Sequence, residues 1–176
     1  METRKIIWVL RHAKSDWTTG VEDFYRPLTN RGRRDARAVG GRLAEFDIDL
    51  VLCSAARRTE ETWEQACLGG AKASRFDSRR EFYDTWHQVI LNEMAHLDDS
   101  VSTLVIVNHQ PLVSNLVVAL AEWSVATERV AHHFPTAGLA RLSFQGGWAA
   151  LADGDCVLES FERIRAADDV PLPHAI

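Results

Sequence analysis

Three short, almost purely apolar runs constrain this chain most: Ile6-Ile7-Trp8-Val9-Leu10, Leu50-Val51-Leu52-Cys53 and Leu104-Val105-Ile106-Val107. Their length and β-branched content suit strands covered on both faces, as in a parallel sheet. Helical patterns fill the intervals. From about Thr29 to Phe46, apolar or small residues recur at Ala36, Val39, Gly40, Leu43 and Phe46, close to a 3.6 period. Further helices are predicted from about Ala56 to Cys67, from about Trp86 to Leu97, and after Pro111 through Leu112, Leu116, Val117 and Leu120. This alternation implies an α/β domain with right-handed crossovers. After Pro135 the pattern changes. Leu139-Ala140-Arg141-Leu142-Ser143-Phe144 alternates, Gln145-Gly146-Gly147 supplies a turn, and Trp148-Ala149-Ala150-Leu151 resumes, which predicts an antiparallel hairpin at one side of the sheet. The expectation is a three-layer α/β/α sandwich with a mostly parallel central sheet and an antiparallel edge. One domain spans residues 1–165, and residues 166–176 form a C-terminal tail.

Composition bounds the function. The 176 residues suffice for one core, and a net charge of -5 argues against a nucleic-acid partner. The arginines therefore need a local explanation. Cys53, Cys67 and Cys156 form no CxxC pair, so a reducing, cytoplasmic compartment is expected, with Cys53 a core residue. Only five apolar residues precede Arg11, too few for a signal peptide, and no run approaches the ~20 residues of a membrane span.

The chemistry gathers where the apolar runs end. The first run is followed by Arg11-His12. The second leads through Ser54 into a helix carrying Arg57 and Arg58 in its first turn, and the third leads into Asn108-His109 before another helix. Open α/β sheets bind ligands at the carboxyl ends of their strands, so two histidines and at least two arginines converge on one edge. Guanidinium forks match phosphate oxygens, and helix N-termini add N–H donors. A histidine among guanidiniums has its cation disfavoured, stays neutral, and can act as a covalent nucleophile.

At these residues the sequence resembles the histidine phosphatase superfamily, of phosphoglycerate mutase-like fold, and within it the SixA-type phosphohistidine phosphatases. Arg11-His12-Ala13-Lys14-Ser15 is similar to the RHAKS form of the family's RH signature, and Arg26-Pro27-Leu28-Thr29-Asn30-Arg31-Gly32 to the RPLT-x-x-G segment. Ser54-Ala55-Ala56-Arg57-Arg58-Thr59-Glu60-Glu61-Thr62 resembles S-P-x-x-R-A-x-Q-T, which points to Arg58 rather than Arg57. Val107-Asn108-His109 resembles the second-histidine motif, and Phe134-Pro135-Thr136 the F-P-T loop. Ala55, Glu61 and Asn108 depart from the pattern.

The resemblance implies that His12 is the phosphorylated nucleophile and that Arg11, Arg58 and His109 form the phosphate pocket, with no metal and no cofactor. It also places a general acid near Glu81, with Asp84 a second candidate. Lys14 and Asn30 are candidate substrate contacts. The expected reaction is hydrolysis of a phosphoryl group carried on a protein histidine. The alternatives are a small phosphorylated metabolite as substrate or a non-catalytic phosphate-binding module. A metal hydrolase using His12, His109 and Asp84 lacks a recognisable ligand spacing.

Overall fold

The structure, a computed structural model, describes residues 4–167. Six strands form one sheet: β1 (Arg4–Arg11), β2 (Ile48–Ser54), β3 (Ala73–Arg79), β4 (Thr103–Asn108), β5 (Gly138–Gln145) and β6 (Val157–Arg163), in the order β3-β2-β4-β1-β5-β6. The pairs β3/β2, β2/β4 and β4/β1 are parallel; β1/β5 and β5/β6 are antiparallel. Five helices flank it: α1 (Asn30–Leu43), α2 (Arg57–Leu68), α3 (His87–Met94), α4 (Leu112–Leu120) and α5 (Val125–His132). This is the expected mostly parallel α/β architecture with an antiparallel edge.

The period-2 geometry of strands divides the core. Ile7, Val9, Leu50, Leu52, Leu104 and Ile106 pack with α3, α4 and α5, while Trp8, Leu10, Val51, Cys53, Val105 and Val107 pack with α1 and α2. The central strands are thus buried on both faces, as their unbroken apolar runs require. The helices α1 and α2 lie very close. A Cβ at Gly40 would sit 1.9 Å from the carbonyl oxygen of Ala66, so only glycine permits this crossing.

Strand register sets the position of the chemistry. Arg11 pairs with Asn108 across β1 and β4, so His12 and His109, each one residue further on, emerge side by side. The backbone bond from His12 N–H to the Asn108 carbonyl, 3.1 Å, closes that register. Across β2 and β4, Cys53 pairs with Val107, which brings Ser54 level with Asn108 and the start of α2 to the same edge.

One expectation needs correction. The second strand of the C-terminal hairpin is β6, not Trp148–Leu151; Trp148–Ala150 is a short 3₁₀ turn. The fully buried Trp148 side chain donates its Nε1–H to the Val101 carbonyl, pinning this segment over the core and leaving β5 to pair with a later strand. Helix α5 lies in a stretch whose pattern predicts no element; Ser124 and Thr127 cap it reciprocally. Of the expected tail, Ala166 donates its backbone N–H to Asp35, and residues 168–176 lie outside the described residues. Cys53 is buried in the core as expected, and all three cysteines are free thiols. Among the described residues no helix is long and apolar enough to cross a membrane.

Candidate active site

The ends of β1, β2 and β4 form the floor of a cavity of about 280 Å³, lined by Arg11, His12, Arg58 and His109 together with Lys14 and Arg26. The rings of His12 and His109 stand 5.2 Å apart between centroids, tilted by 56°.

His12 is 7% exposed, and its Nδ1 lies 2.8 Å from the carbonyl oxygen of Ala13. A carbonyl only accepts, so the proton must sit on Nδ1, and the lone pair is on Nε2. Burial, reinforced by the charges of Arg58, Arg11 and Arg26, pushes the pKa of His12 down to about 3, although the Ala13 bond opposes the shift. The ring is therefore neutral and nucleophilic at ordinary pH. The neighbouring guanidiniums contribute as the sequence implies, but burial is the larger cause.

His109 places Nε2 at 2.8 Å from the hydroxyl of Ser54, while Nδ1 is buried without a hydrogen-bond partner among the described residues. Burial, then the neighbouring His12 and Arg58, lower its pKa to about 2. Arg11 donates to the Phe134 carbonyl at 2.6 Å, and burial and Arg58 lower its pKa. Arg58, 5% exposed, comes from the first turn of α2. Adjacent helical residues point about 100° apart, so Arg57 faces outward instead, onto Glu64.

Two residues complete the site that sequence reasoning does not single out. Asp23, on the loop before α1, accepts from Arg58 Nη2 at 2.9 Å and from Arg26 Nε at 3.0 Å, and the Tyr83 hydroxyl donates to it at 2.9 Å. Partial burial would raise its pKa, but the bonds from Arg26, Tyr83 and Arg58 hold it at about 2. It is a fixed anion that aligns two guanidiniums. Arg26 is almost fully buried, bonds Ser15 at 2.6 Å, and lies 3.5 Å from the ring centre of the exposed Trp17. Its place in the RPLT segment is the available signal; nothing local distinguishes Asp23 from a surface acid.

The departures from the family pattern have physical roles. Glu61 is buried and accepts from Leu28 N–H at 2.9 Å and Arg33 Nε at 2.5 Å, anchoring the RPLT loop to α2. Asn108 donates to the Phe82 carbonyl at 3.1 Å and accepts from His109 N–H at 2.8 Å, tying the segment after β3 to the second histidine. In RPLT-x-x-G the glycine is obligatory: a Cβ on Gly32 would come 2.1 Å from the Lys14 carbonyl.

The structure does not bring every candidate in. Glu81 is exposed, pairs with Arg79 at 3.6 Å and lines neither cavity at the site, because the turn after β3 directs it to solvent. Asp84 lines an adjoining cavity of about 160 Å³. Asn30, exposed at the start of α1, accepts from Arg33 and lies outside the lining, whereas Lys14 is part of it. Among the described residues, no three His, Cys, Asp or Glu side chains gather as they would around a metal ion.

Comparison with known proteins places this arrangement. Residues 7–88 match the model of the Histidine phosphatase superfamily (branch 1). An uncharacterized protein of Mycobacterium tuberculosis is 36% identical over 158 residues, covering 86% of this chain and 98% of its own. A candidate phosphohistidine phosphatase SixA from Nakamurella multipartitia superposes with a TM-score of 0.82 at 29% identity, covering 92% of this chain and 96% of that one. A mycobacterial glucosyl-3-phosphoglycerate phosphatase shares the fold, with a TM-score of 0.62 at 17% identity over 93% of this chain and all of its own.

Proposed function

The chain belongs to the histidine phosphatase superfamily and is a phosphatase, and from that premise we propose that it removes phosphoryl groups from protein phosphohistidine through a covalent intermediate on His12. The carrying observation is the His12 imidazole, neutral, anchored through Nδ1–H to Ala13, and faced by guanidinium groups. Nε2 attacks phosphorus, a P–N bond forms, and the leaving group departs. Arg11, Arg26 and Arg58 stabilise the charge on the equatorial oxygens, and His109 holds the same phosphoryl group from the end of the neighbouring strand β4. The Ala13 carbonyl then stabilises the phosphorylated ring as an imidazolium. Water attacks phosphorus, its proton passes to phosphate oxygen, and His12 is released neutral. No step calls on a metal ion, so turnover is expected to survive excess chelator.

A protein-borne substrate is favoured because, among the described residues, no inserted segment roofs the site. Between Arg58 and His109 the chain builds only α2, β3, α3 and β4 with their connections, leaving no insertion to enclose a small molecule. The likeness to the candidate SixA protein points the same way. The second reading, a small-molecule phosphomonoesterase, draws on the fold shared with the glucosyl-3-phosphoglycerate phosphatase. Rates on a phosphorylated histidine-containing domain, set against a panel of sugar and nucleotide phosphates, separate the two. Esters turned over faster by orders of magnitude would overturn the phosphohistidine assignment.

A further inference from the structure

The phosphate cavity does not end at His109. It opens into the second cavity, and the two share Asp23, Arg58, His109 and Gln110. Their charges are opposed. The first is lined by four cationic side chains, Arg11, Lys14, Arg26 and Arg58, against one acid, Asp23. The second is lined by two acids, Asp23 and Asp84, against Arg58 alone. Asp23 already satisfies Arg26, Arg58 and Tyr83, whereas Asp84 enters no ion pair among the described residues and stands exposed at the rim. Its backbone, at a φ of 52°, occupies the left-handed region that Asp and Asn tolerate better than most residues.

A leaving group in the second cavity thus meets a carboxylate, that of Asp84, which no cation of the described residues neutralises. The oxygen of a sugar or aryl phosphate gains little from a carboxylate beside it, since both carry negative charge as the bond breaks. A ring that departs from a P–N bond behaves differently, because it carries a proton on its other nitrogen and presents a cationic N–H donor. We infer that the second cavity is the leaving-group site for nitrogen-linked phosphoryl groups, and that Asp84 selects them by accepting the N–H of a protonated imidazole ring. The inference rests on the phosphatase reading above and deepens it.

The exchange then has matching ends. His12 Nε2 forms its bond to phosphorus while the substrate P–N bond breaks and leaves its electron pair on the ring nitrogen. The substrate ring enters as an imidazolium held by Asp84 and leaves neutral. His12 begins neutral and becomes the phosphorylated imidazolium held by Ala13. No proton needs to move during the transfer.

The test compares N-phosphoryl imidazole with p-nitrophenyl phosphate, using the full chain and its Asp84→Asn and Asp84→Gly variants, both compatible with a positive φ. Loss of one charged hydrogen bond should lower kcat/KM for the nitrogen-linked substrate at least about tenfold more than for the ester. Equal losses on both substrates, or no loss on the nitrogen-linked one, would overturn the role of Asp84 while leaving the phosphatase reading intact. A wild-type protein that turns over neither substrate would overturn that reading, and this inference with it.

Discussion

The floor of the site and its rim are built by different physics. The floor consists of residues at strand tips: Arg11 and His12 after β1, His109 after β4, and Arg58 in the first turn beyond β2. Sheet register holds them, so their spacing follows from backbone hydrogen bonds made elsewhere in the core. The rim consists of side chains on the loop before α1, chiefly Asp23 and Arg26, which side-chain bonds to Arg58, Ser15 and Tyr83 hold against the floor. A pocket of this kind gains its reacting groups from topology and its alignment from a loop. Losses at the floor should therefore remove chemistry, and losses at the rim should loosen it.

The sharpest break is His12→Ala, which is expected to abolish turnover on every substrate; a fully active variant would refute the covalent scheme. Arg58→Ala should cost on the order of 10²-fold or more in kcat, because it removes transition-state charge stabilisation. Asp23→Asn tests the rim. It keeps the shape but frees both guanidiniums, and a loss of about tenfold is expected, nearer the size of one charged hydrogen bond. If Asp23→Asn cost as much as Arg58→Ala, the distinction between floor and rim would fail.

Stability should carry the floor's signature too. The folded-state pKa of His12, about 3, lies below the unfolded value of about 6.5, so between these limits the unfolded chain binds more protons. Its contribution to stability is present above pH 6.5 and is lost as pH falls. The unfolding free energy should fall between pH 6.5 and 4.5, by up to about 1.4 kcal/mol per pH unit for this one group. His12→Asn should flatten that slope. Asp23, held at about 2, works in a lower window, below its ordinary value of about 3.9. The smallest effect is reserved for Glu81→Gln, expected to leave kcat within about twofold, as suits a surface charge paired with Arg79.

The same division explains what is legible in the sequence. Apolar runs betray buried strands, and a parallel sheet gathers whatever follows them, so the residues of the floor can be picked out from the order of amino acids alone. The motif tells Arg58 from Arg57, and helix geometry gives the reason. The rim is not legible in this way. Asp23 sits in a loop whose residues have no periodic pattern, and besides the nearby Arg26 its partners lie 35 and 60 positions away, at Arg58 and Tyr83. Glu81 misleads because sequence proximity to the end of β3 says nothing about which side of a short turn a side chain leaves. The C-terminal hairpin fails for a related reason: Trp148 has the look of a strand residue in a resumed apolar run, but its burial against Val101 diverts the chain before β6.

The central claim is tested most directly by trapping the intermediate. Wild-type protein mixed with a radiolabelled phosphoryl donor and denatured within milliseconds should carry acid-labile, base-stable label on a peptide containing His12, formed and lost at rates consistent with turnover. Turnover at full rate with no label on His12, or label on His109 instead, would contradict the account.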